Sequence, residues 1–359
     1  MQLPSVKDLP VAGKRVLVRV DLDVPIKVER KADGIWYQVT DDTRLRKSKK
    51  TVKFLLKNHV KQVILIGHFG RPEEEGGSVF SIWGLLDAIY GTRVMSYLQA
   101  GYQTDEVAKI IEDDEDFDYK IILLENLRFW PGEEKNDPEF AKNLASLADF
   151  YVNEAFAVSH RKHASIVGIP KFLPSAFGFS FLEEVEVLSK VKDNPARPVT
   201  LILGGAKEDK LGGVEKLAKW ADNILIGGRL PKLDTEILRY KDTKIIIAKL
   251  NSEGKDISGE SIEIFKQLIM QSRTVVWAGP MGVYEEEKNA SGTHEVAQAI
   301  VESGAFSVVG GGDTETALKK LRFDGKMNYI SSGGGAMLEM LANGTLPGIE
   351  AIKHGKSSH

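Results

Sequence analysis

The apolar run Phe306–Val309 ends in Gly310, Gly311 and Gly312, after which Asp313 and Thr314 open a helical pattern. Glycines let a ligand approach backbone that a side chain would otherwise cover. The N–H groups and positive dipole end of the following helix suit phosphate. No Gly-Lys-Ser/Thr triplet follows, so this is not a P-loop, and the turn alone reads equally well as a tight strand-to-helix junction. Related junctions recur at Gly204-Gly205-Ala206-Lys207, Gly227-Gly228, Ala278-Gly279-Pro280 and Ser332-Gly333-Gly334-Gly335. Together they suggest a surface cleared for a flat, phosphate-bearing ligand such as a nucleotide. Lys207 and Lys210 could neutralise phosphate as point charges. Asp313 could hold Mg²⁺ through one carboxylate, as nucleotide-bound magnesium usually is held.

The first half carries a different set of groups. Asp21 and Asp23 follow one apolar run, His68 and Arg71 a second, Arg128 a third, and His160 and Arg161 a fourth. A single basic residue after a strand is ordinarily a solvated loop residue. Three of four strand ends bearing Arg or His form a basin for an anion, in which Asp21 and Asp23 could orient guanidinium groups or accept hydroxyl hydrogens. His160 and His163 have the i,i+3 spacing of a helical metal pair, but with no third ligand or Cys in view zinc is not expected. The five tryptophans are expected to pack, Lys47–Lys50 to be a solvated helix start, and the acidic stretches at 73–77 and 112–116 to be exposed loops. An anion site in one half and a nucleotide site in the other imply phosphate transfer. Spacing does not identify the acceptor.

Short Val/Ile/Leu-rich runs that alternate with longer helical patterns would position these groups. Continuous apolar runs indicate strands buried on both faces, hence parallel sheets covered by helices. The runs are Arg15–Val20, Gln62–Ile66, Lys120–Leu124 and Phe150–Val152, then Val199–Leu203, Asn223–Ile226, Lys244–Ala248, Thr274–Trp277, Phe306–Val309 and Asn328–Ile330. Between the groups, Phe181–Lys192 reads as an amphipathic helix, stopped before Pro195 and Pro198. The fold class expected is α/β: two doubly wound, parallel-sheet (Rossmann-like) domains joined by a helix and a hinge, with ligands beyond the carboxyl ends of the strands.

A chain of 359 residues with 42% hydrophobic and 28% charged residues fits two or three globular domains. A net charge of −3 gives no reason to expect nucleic acid or an anionic membrane as partner. The absence of cysteine excludes disulfides, Cys-zinc sites and cysteine nucleophiles. No signal peptide or run of about 20 apolar residues is found, so a cytoplasmic, membrane-free protein is expected.

Nine segments, in order along nearly the whole chain, resemble phosphoglycerate kinase. They are Arg15–Pro25, Asp41–Arg44, Gly67–Pro72, Leu124–Phe129, Tyr151–Phe156 with Ser159–Ser165, Leu203–Lys207, Val276–Glu285, Gly310–Thr314 and Ser331–Ala336. The resemblance implies reversible, Mg²⁺-dependent transfer of a phosphoryl group from 1,3-bisphosphoglycerate to ADP, giving 3-phosphoglycerate and ATP. It implies that Asp21, Asp23, Arg44, His68, Arg71, Arg128, His160 and Arg161 hold phosphoglycerate. Gly205, Ala206, Lys207, Lys210, Gly279, Glu285, Gly311, Gly312, Asp313 and Thr314 would serve ATP or ADP, Asp313 through magnesium. Arg44 and Lys207 would contact the phosphoryl group in flight. The implied domains are 1–178 for phosphoglycerate, 179–194 as the connecting helix and 195–337 for nucleotide, with 338–359 returning to the first, in a monomer. Departures from the family pattern are Asp23 for Asn, Ala278 for Asn, a Lys207–Lys210 interval one residue short, and an abbreviated stretch from Leu230 to Ile257. They leave open a weak or inactive relative that acts as a binding protein. The absence of a Gly-x-Gly-x-x-Gly fingerprint in a first strand–helix unit counts against a nicotinamide dehydrogenase.

Overall fold

Apolar side chains on both faces drive the runs into sheet interiors: all five residues of Gln62–Ile66, Val199–Leu203 and Thr274–Ala278 are buried. The computed structural model describes residues 3–31, 34–71, 78, 82–97, 120–206, 213–232 and 244–356. Lys207, Lys210 and the acidic stretches at 73–77 and 112–116 lie outside them.

The chain divides into two compact units, one of Met1–Glu184 with Pro347–His359, the other of Val185–Leu346. Strands of the first are β1 (Arg15–Arg19), β2 (Ile26–Lys31), β3 (Gly34–Val39), β4 (Gln62–Ile66), β5 (Val94–Tyr97), β6 (Ile121–Leu124), β7 (Phe150–Asn153) and β8 (Ser175–Phe177). Six of these form a sheet in the order β5-β6-β4-β1-β7-β8, with every pairing parallel. The chain leaves β1 toward β4 on one side and reaches β7 on the other, so the strand order reverses beside β1. In doubly wound sheets that crevice receives ligands. The second unit has β9 (Val199–Leu203), β10 (Asn223–Ile226), β11 (Lys244–Ile247), β12 (Thr274–Ala278), β13 (Phe306–Gly310) and β14 (Tyr329–Ser331). They form a parallel sheet in the order β11-β10-β9-β12-β13-β14, reversing between β9 and β12.

Helices are set by local chemistry. Asp137 caps the helix Pro138–Ala145 by accepting from Phe140 N–H, with Pro138 at the first helical position where no N–H is missed. Ser258 caps Gly259–Met270 by accepting from Ser261 N–H. The helix Phe179–Asp193 contains the boundary between the units. The helix Pro347–Lys353 belongs to the first unit, where Gly348 N–H donates to Ser159 O at 2.9 Å.

The hairpin β2–β3 is antiparallel and separate from both sheets. It alternates too weakly to read as a buried strand. Trp36 on it is 53% exposed, so that tryptophan does not pack as expected, whereas Trp277 is wholly buried and its indole N–H donates to Gly279 O at 2.7 Å. β5 and β8 were also not foreseen; both are short edge strands. Lys47–Lys50 does start a helix, at Lys49, with Lys50 exposed, but the segment is solvated only in part. Ser48 is buried between two short helices and bonded to Leu45 O and Tyr90 Oη, and Lys47 reaches the buried Glu184 carboxylate at 3.1 Å.

Candidate active site

The carboxyl ends of β1, β4, β6 and β7 gather most of the first unit's chemistry. Asp21 follows β1, and its Oδ2 lies 3.7 Å from Arg44 Nε; Arg44 also donates to Asp23 O at 2.8 Å. Arg44 stands in the first turn of the short helix Thr43–Lys47, so its guanidinium reaches back to the end of β1. Asp23 Oδ1 accepts from Gly70 N–H at 3.0 Å, a role either a carboxylate or an amide can fill. Arg128 donates to Gly70 O at 2.6 Å and lies 3.4 Å from Glu134. Arg71 and Arg161 are exposed and His160 is partly buried.

Beneath this rim lies a buried network. Arg19, the last residue of β1, is 1% exposed and donates through Nε to Ser165 Oγ at 3.1 Å. Ser165 gives its own hydroxyl hydrogen to Glu133 Oε1 at 2.6 Å and its N–H to Glu133 Oε2 at 2.9 Å. Glu133 Oε1 also faces His68 Nε2 at 2.7 Å, and His163 Nδ1 lies 3.9 Å away. Burial, reinforced by Arg19, Arg128, His163 and Arg161, holds His68 far below the ordinary imidazole range. Burial lowers His163 to about 4, against the opposing pull of Glu133. Arg19 Nη2, His68 Nδ1 and His163 Nδ1 are buried without hydrogen-bond partners among the described residues.

His163 lies with His68 and Glu133, two groups that its spacing from His160 did not reveal, and His160 is not part of this cluster. Their chemistry is that of a hydrogen-bonded network. Ser165 donates to both carboxylate oxygens, and nearby guanidinium groups oppose a cation. Arg19, Glu133 and Ser165 were missed in the sequence. The available signal was Arg19 itself, a charge within the buried run Arg15–Val20 that requires internal partners.

In the second unit Gly311 has φ 104° and leads into the helix Gly312–Lys320, with exposed Asp313 in its first turn. The φ is one that L side chains rarely adopt. Thr314 is buried; its hydroxyl accepts Gly279 N–H at 2.8 Å and donates to Gly310 O at 3.2 Å. It thus stitches two of the glycine turns together. Gly204 has a packing reason for lacking a side chain, because a Cβ there would meet Met281 Cε and Pro280 O at 2.4 Å. Gly205 and Ala206 continue that turn, with Gly205 partly buried and Ala206 exposed. Lys320 Nζ donates to Tyr284 O and Glu285 O, both at 3.0 Å, tying the Glu285 loop to the helix. Burial raises Tyr284 to about 12, with Glu285 and Asp313 adding to the effect. Ala278 is wholly buried at the end of β12.

A family model described as phosphoglycerate kinase matches residues 6–245 and 232–344. A phosphoglycerate kinase of Finegoldia magna is 40% identical, with 98% of this chain and 99% of that protein covered. One of Rubrobacter xylanophilus is 38% identical, with 98% of each covered. The solved phosphoglycerate kinase of Pyrococcus horikoshii superposes with a TM-score of 0.81 at 28% identity, covering 98% of each chain. That of Coxiella burnetii gives 0.73 at 28% identity, covering 98% of this chain and 99% of that one. The two stretches of the family match overlap at 232–245, within the part of the sequence that reads as abbreviated.

Proposed function

The chain belongs to the phosphoglycerate kinase family, an enzyme family transferring a phosphoryl group between 1,3-bisphosphoglycerate and ADP, and from that premise we propose how its residues divide the work. The family model and the relatives at 37–40% identity all carry this one activity, and the binding-protein reading is left without support. Phosphoglycerate binds the first unit, held by Asp21, Asp23, Arg44, His68, Arg71, Arg128, His160 and Arg161. The observation that carries this is the convergence of guanidinium and imidazole groups on the carboxyl ends of four parallel strands, at the point where strand order reverses.

ADP or ATP binds the second unit at Gly205, Ala206, Gly279, Glu285 and the Gly311–Thr314 turn, with Lys207 and Lys210 supplying positive charge. Asp313 fits Mg²⁺ by its donor chemistry, an exposed carboxylate with no ion pair among the described residues, which leaves the remaining positions for phosphate oxygens and water. When bound, the ion would offset charge on the nucleotide phosphates. In the direction of ATP formation, a terminal ADP oxygen attacks the acyl phosphorus and the carboxylate of 3-phosphoglycerate leaves. No general base is required, because the attacking oxygen is already ionised. Arg44 and Lys207 stabilise the phosphoryl group in flight, and positioning does the rest.

The two ligands are read onto separate units, so reaching a near-attack distance of ~3–3.5 Å requires the units to close. The hinge elements proposed are the helix Phe179–Asp193 and the Ser331–Gly335 loop. The protein is taken to act as a cytoplasmic monomer; no helix among the described residues is long and apolar enough to cross a membrane. ATP formation from 1,3-bisphosphoglycerate and ADP, followed in a coupled assay with and without Mg²⁺, tests the reading. No ATP above the uncatalysed rate would overturn it.

A further inference from the structure

Gly254-Lys255-Asp256-Ile257 closes the stretch that reads as abbreviated, and the division of roles above gives it none. Asp256 is nevertheless a buried carboxylate, 2% exposed, which needs internal donors. It finds them on two segments. Ile257 N–H donates to Oδ1 and Gly292 N–H to Oδ2, both at 2.8 Å. Gly292 lies in the first turn of the helix Ser291–Ser303, whose cap position holds Ala290. An alanine side chain accepts no hydrogen bond, so Asp256 supplies from another segment the acceptor that a capping side chain would give.

The same carboxylate presses against the turn that follows β12. A Cβ at Gly282 would meet Asp256 Oδ1 at 2.3 Å and Asn289 O at 2.4 Å, so glycine is what lets the turn lie this close. The buried Thr293 hydroxyl accepts from Met281 N–H at 3.0 Å and from Gly282 N–H at 3.3 Å. Val283 N–H donates to Lys255 O at 2.9 Å. Met281, Gly282 and Val283 are therefore all held by their N–H groups, immediately before Tyr284 and Glu285. Met281 in turn packs against two other glycine turns. A Cβ at Gly204 would meet its Cε at 2.4 Å, and one at Gly227 its Sδ at 2.7 Å. Displacing Met281 would thus disturb three of the glycine turns at once.

We propose that Asp256 and Thr293 are positioning residues for nucleotide binding, acting through the Met281–Glu285 turn that they clamp. The inference rests on the reading of Gly279, Glu285 and the neighbouring glycine turns as the nucleotide site. What the clamp requires of Asp256 is two acceptor oxygens. In Asp256→Asn one of them becomes an amide nitrogen facing an N–H, at nearly unchanged volume. What it requires of residue 293 is a hydroxyl, which Thr293→Val removes and Thr293→Ser keeps.

Steady-state kinetics of ATP formation, with calorimetry of ADP and of 3-phosphoglycerate on the whole protein in the presence of Mg²⁺, tests the clamp. KM and Kd for ADP should rise roughly 10-fold in Asp256→Asn and in Thr293→Val, the scale of one buried donor left unsatisfied. Thr293→Ser should return both close to wild type. kcat should change less than KM, and Kd for 3-phosphoglycerate, read onto the other unit, should not move. Equal losses for both ligands, or destabilised variants that keep their KM for ADP, overturn the inference and leave the clamp a purely structural one. Hydrogen exchange of the wild-type protein gives a measurement that stands even if a variant fails to fold. By linkage, bound ADP should slow exchange at the Met281, Gly282 and Gly292 amides, and 3-phosphoglycerate should not. ADP binding with those amides exchanging as before overturns the inference. Failure of ADP to bind the wild-type protein at all overturns instead the nucleotide-site reading on which it rests.

Discussion

Thr51 donates its hydroxyl hydrogen to the buried Glu154 at 2.8 Å, where that carboxyl group sits beneath the first turn of the helix Phe179–Asp193. Ser180 and Phe181 give it their N–H groups at 3.2 and 3.3 Å, two of the donors that a helix start leaves unpaired. Burial nevertheless pushes Glu154 up to about 7, outweighing the hydrogen bonds that favour its charged form. Between the ordinary carboxyl range and pH 7 the folded chain therefore holds a proton that the unfolded chain has lost. Stability should fall as pH rises through that window and level off above it, by on the order of 2–3 kcal/mol from this group. Urea unfolding at pH 5 and pH 8 checks this. Glu154→Gln should be less sensitive to pH than wild type by that amount, and parallel pH profiles would remove Glu154 as the cause.

Arg44 is held by Asp21 and by the carbonyl of Asp23, leaving a planar guanidinium fixed at the end of β1. If it stabilises the transferring phosphoryl group, Arg44→Ala should lower kcat by roughly 10³-fold, on the scale of arginine fingers. Lys should rescue poorly, because an ammonium cannot reproduce bidentate geometry. Steady-state kinetics decides the matter: a rise in KM alone would make Arg44 a ground-state binding residue.

Thr314 separates a structural role from a ligand role. Its hydroxyl is occupied by Gly279 N–H and Gly310 O in a fully buried position. Thr314→Val should leave that N–H unsatisfied and cost about 1–3 kcal/mol of unfolding free energy, while Thr314→Ser should recover most of it. Unchanged stability with weakened ADP binding would instead identify the hydroxyl as a nucleotide contact.

Strands in the sheet interiors were legible because burial on both faces leaves uninterrupted apolar runs, as in Gln62–Ile66. The edge strands Val94–Tyr97 and Ser175–Phe177 and the hairpin that carries Trp36 were not, since short or exposed strands carry no such run. Rim residues such as Arg71 and Arg128 were legible as charges placed after strands, whereas Arg44, on the short helix Thr43–Lys47, was legible only through the family resemblance. The network beneath them was not. Glu133 stands in an acidic stretch that reads as surface, and only the fold brings it to Arg19, His68 and Ser165. The glycines misled in part, because Gly204 is explained by the packing of Met281 and Pro280 without any ligand.

Lys320 offers a test of how the loop proposed to bind nucleotide is held. It lies in the last turn of the helix whose first turn carries Asp313, and it donates to the carbonyls of both Tyr284 and Glu285. Its ammonium also sits 6.0 Å from the Tyr284 ring centroid, an additional attraction. Lys320→Met keeps the stem and removes the donors. The two carbonyls are then left to water, and the Glu285 loop loses its tether to the Gly312–Lys320 helix. KM for ADP should rise several-fold, on the scale of one or two hydrogen bonds of about 0.5–1.5 kcal/mol each. kcat should hold, because Arg44 lies in the other unit and the reacting atoms are not touched. A fall in kcat with KM unchanged would place Lys320 in the transfer step itself, and no change in either would mean that the loop keeps its position without this tether.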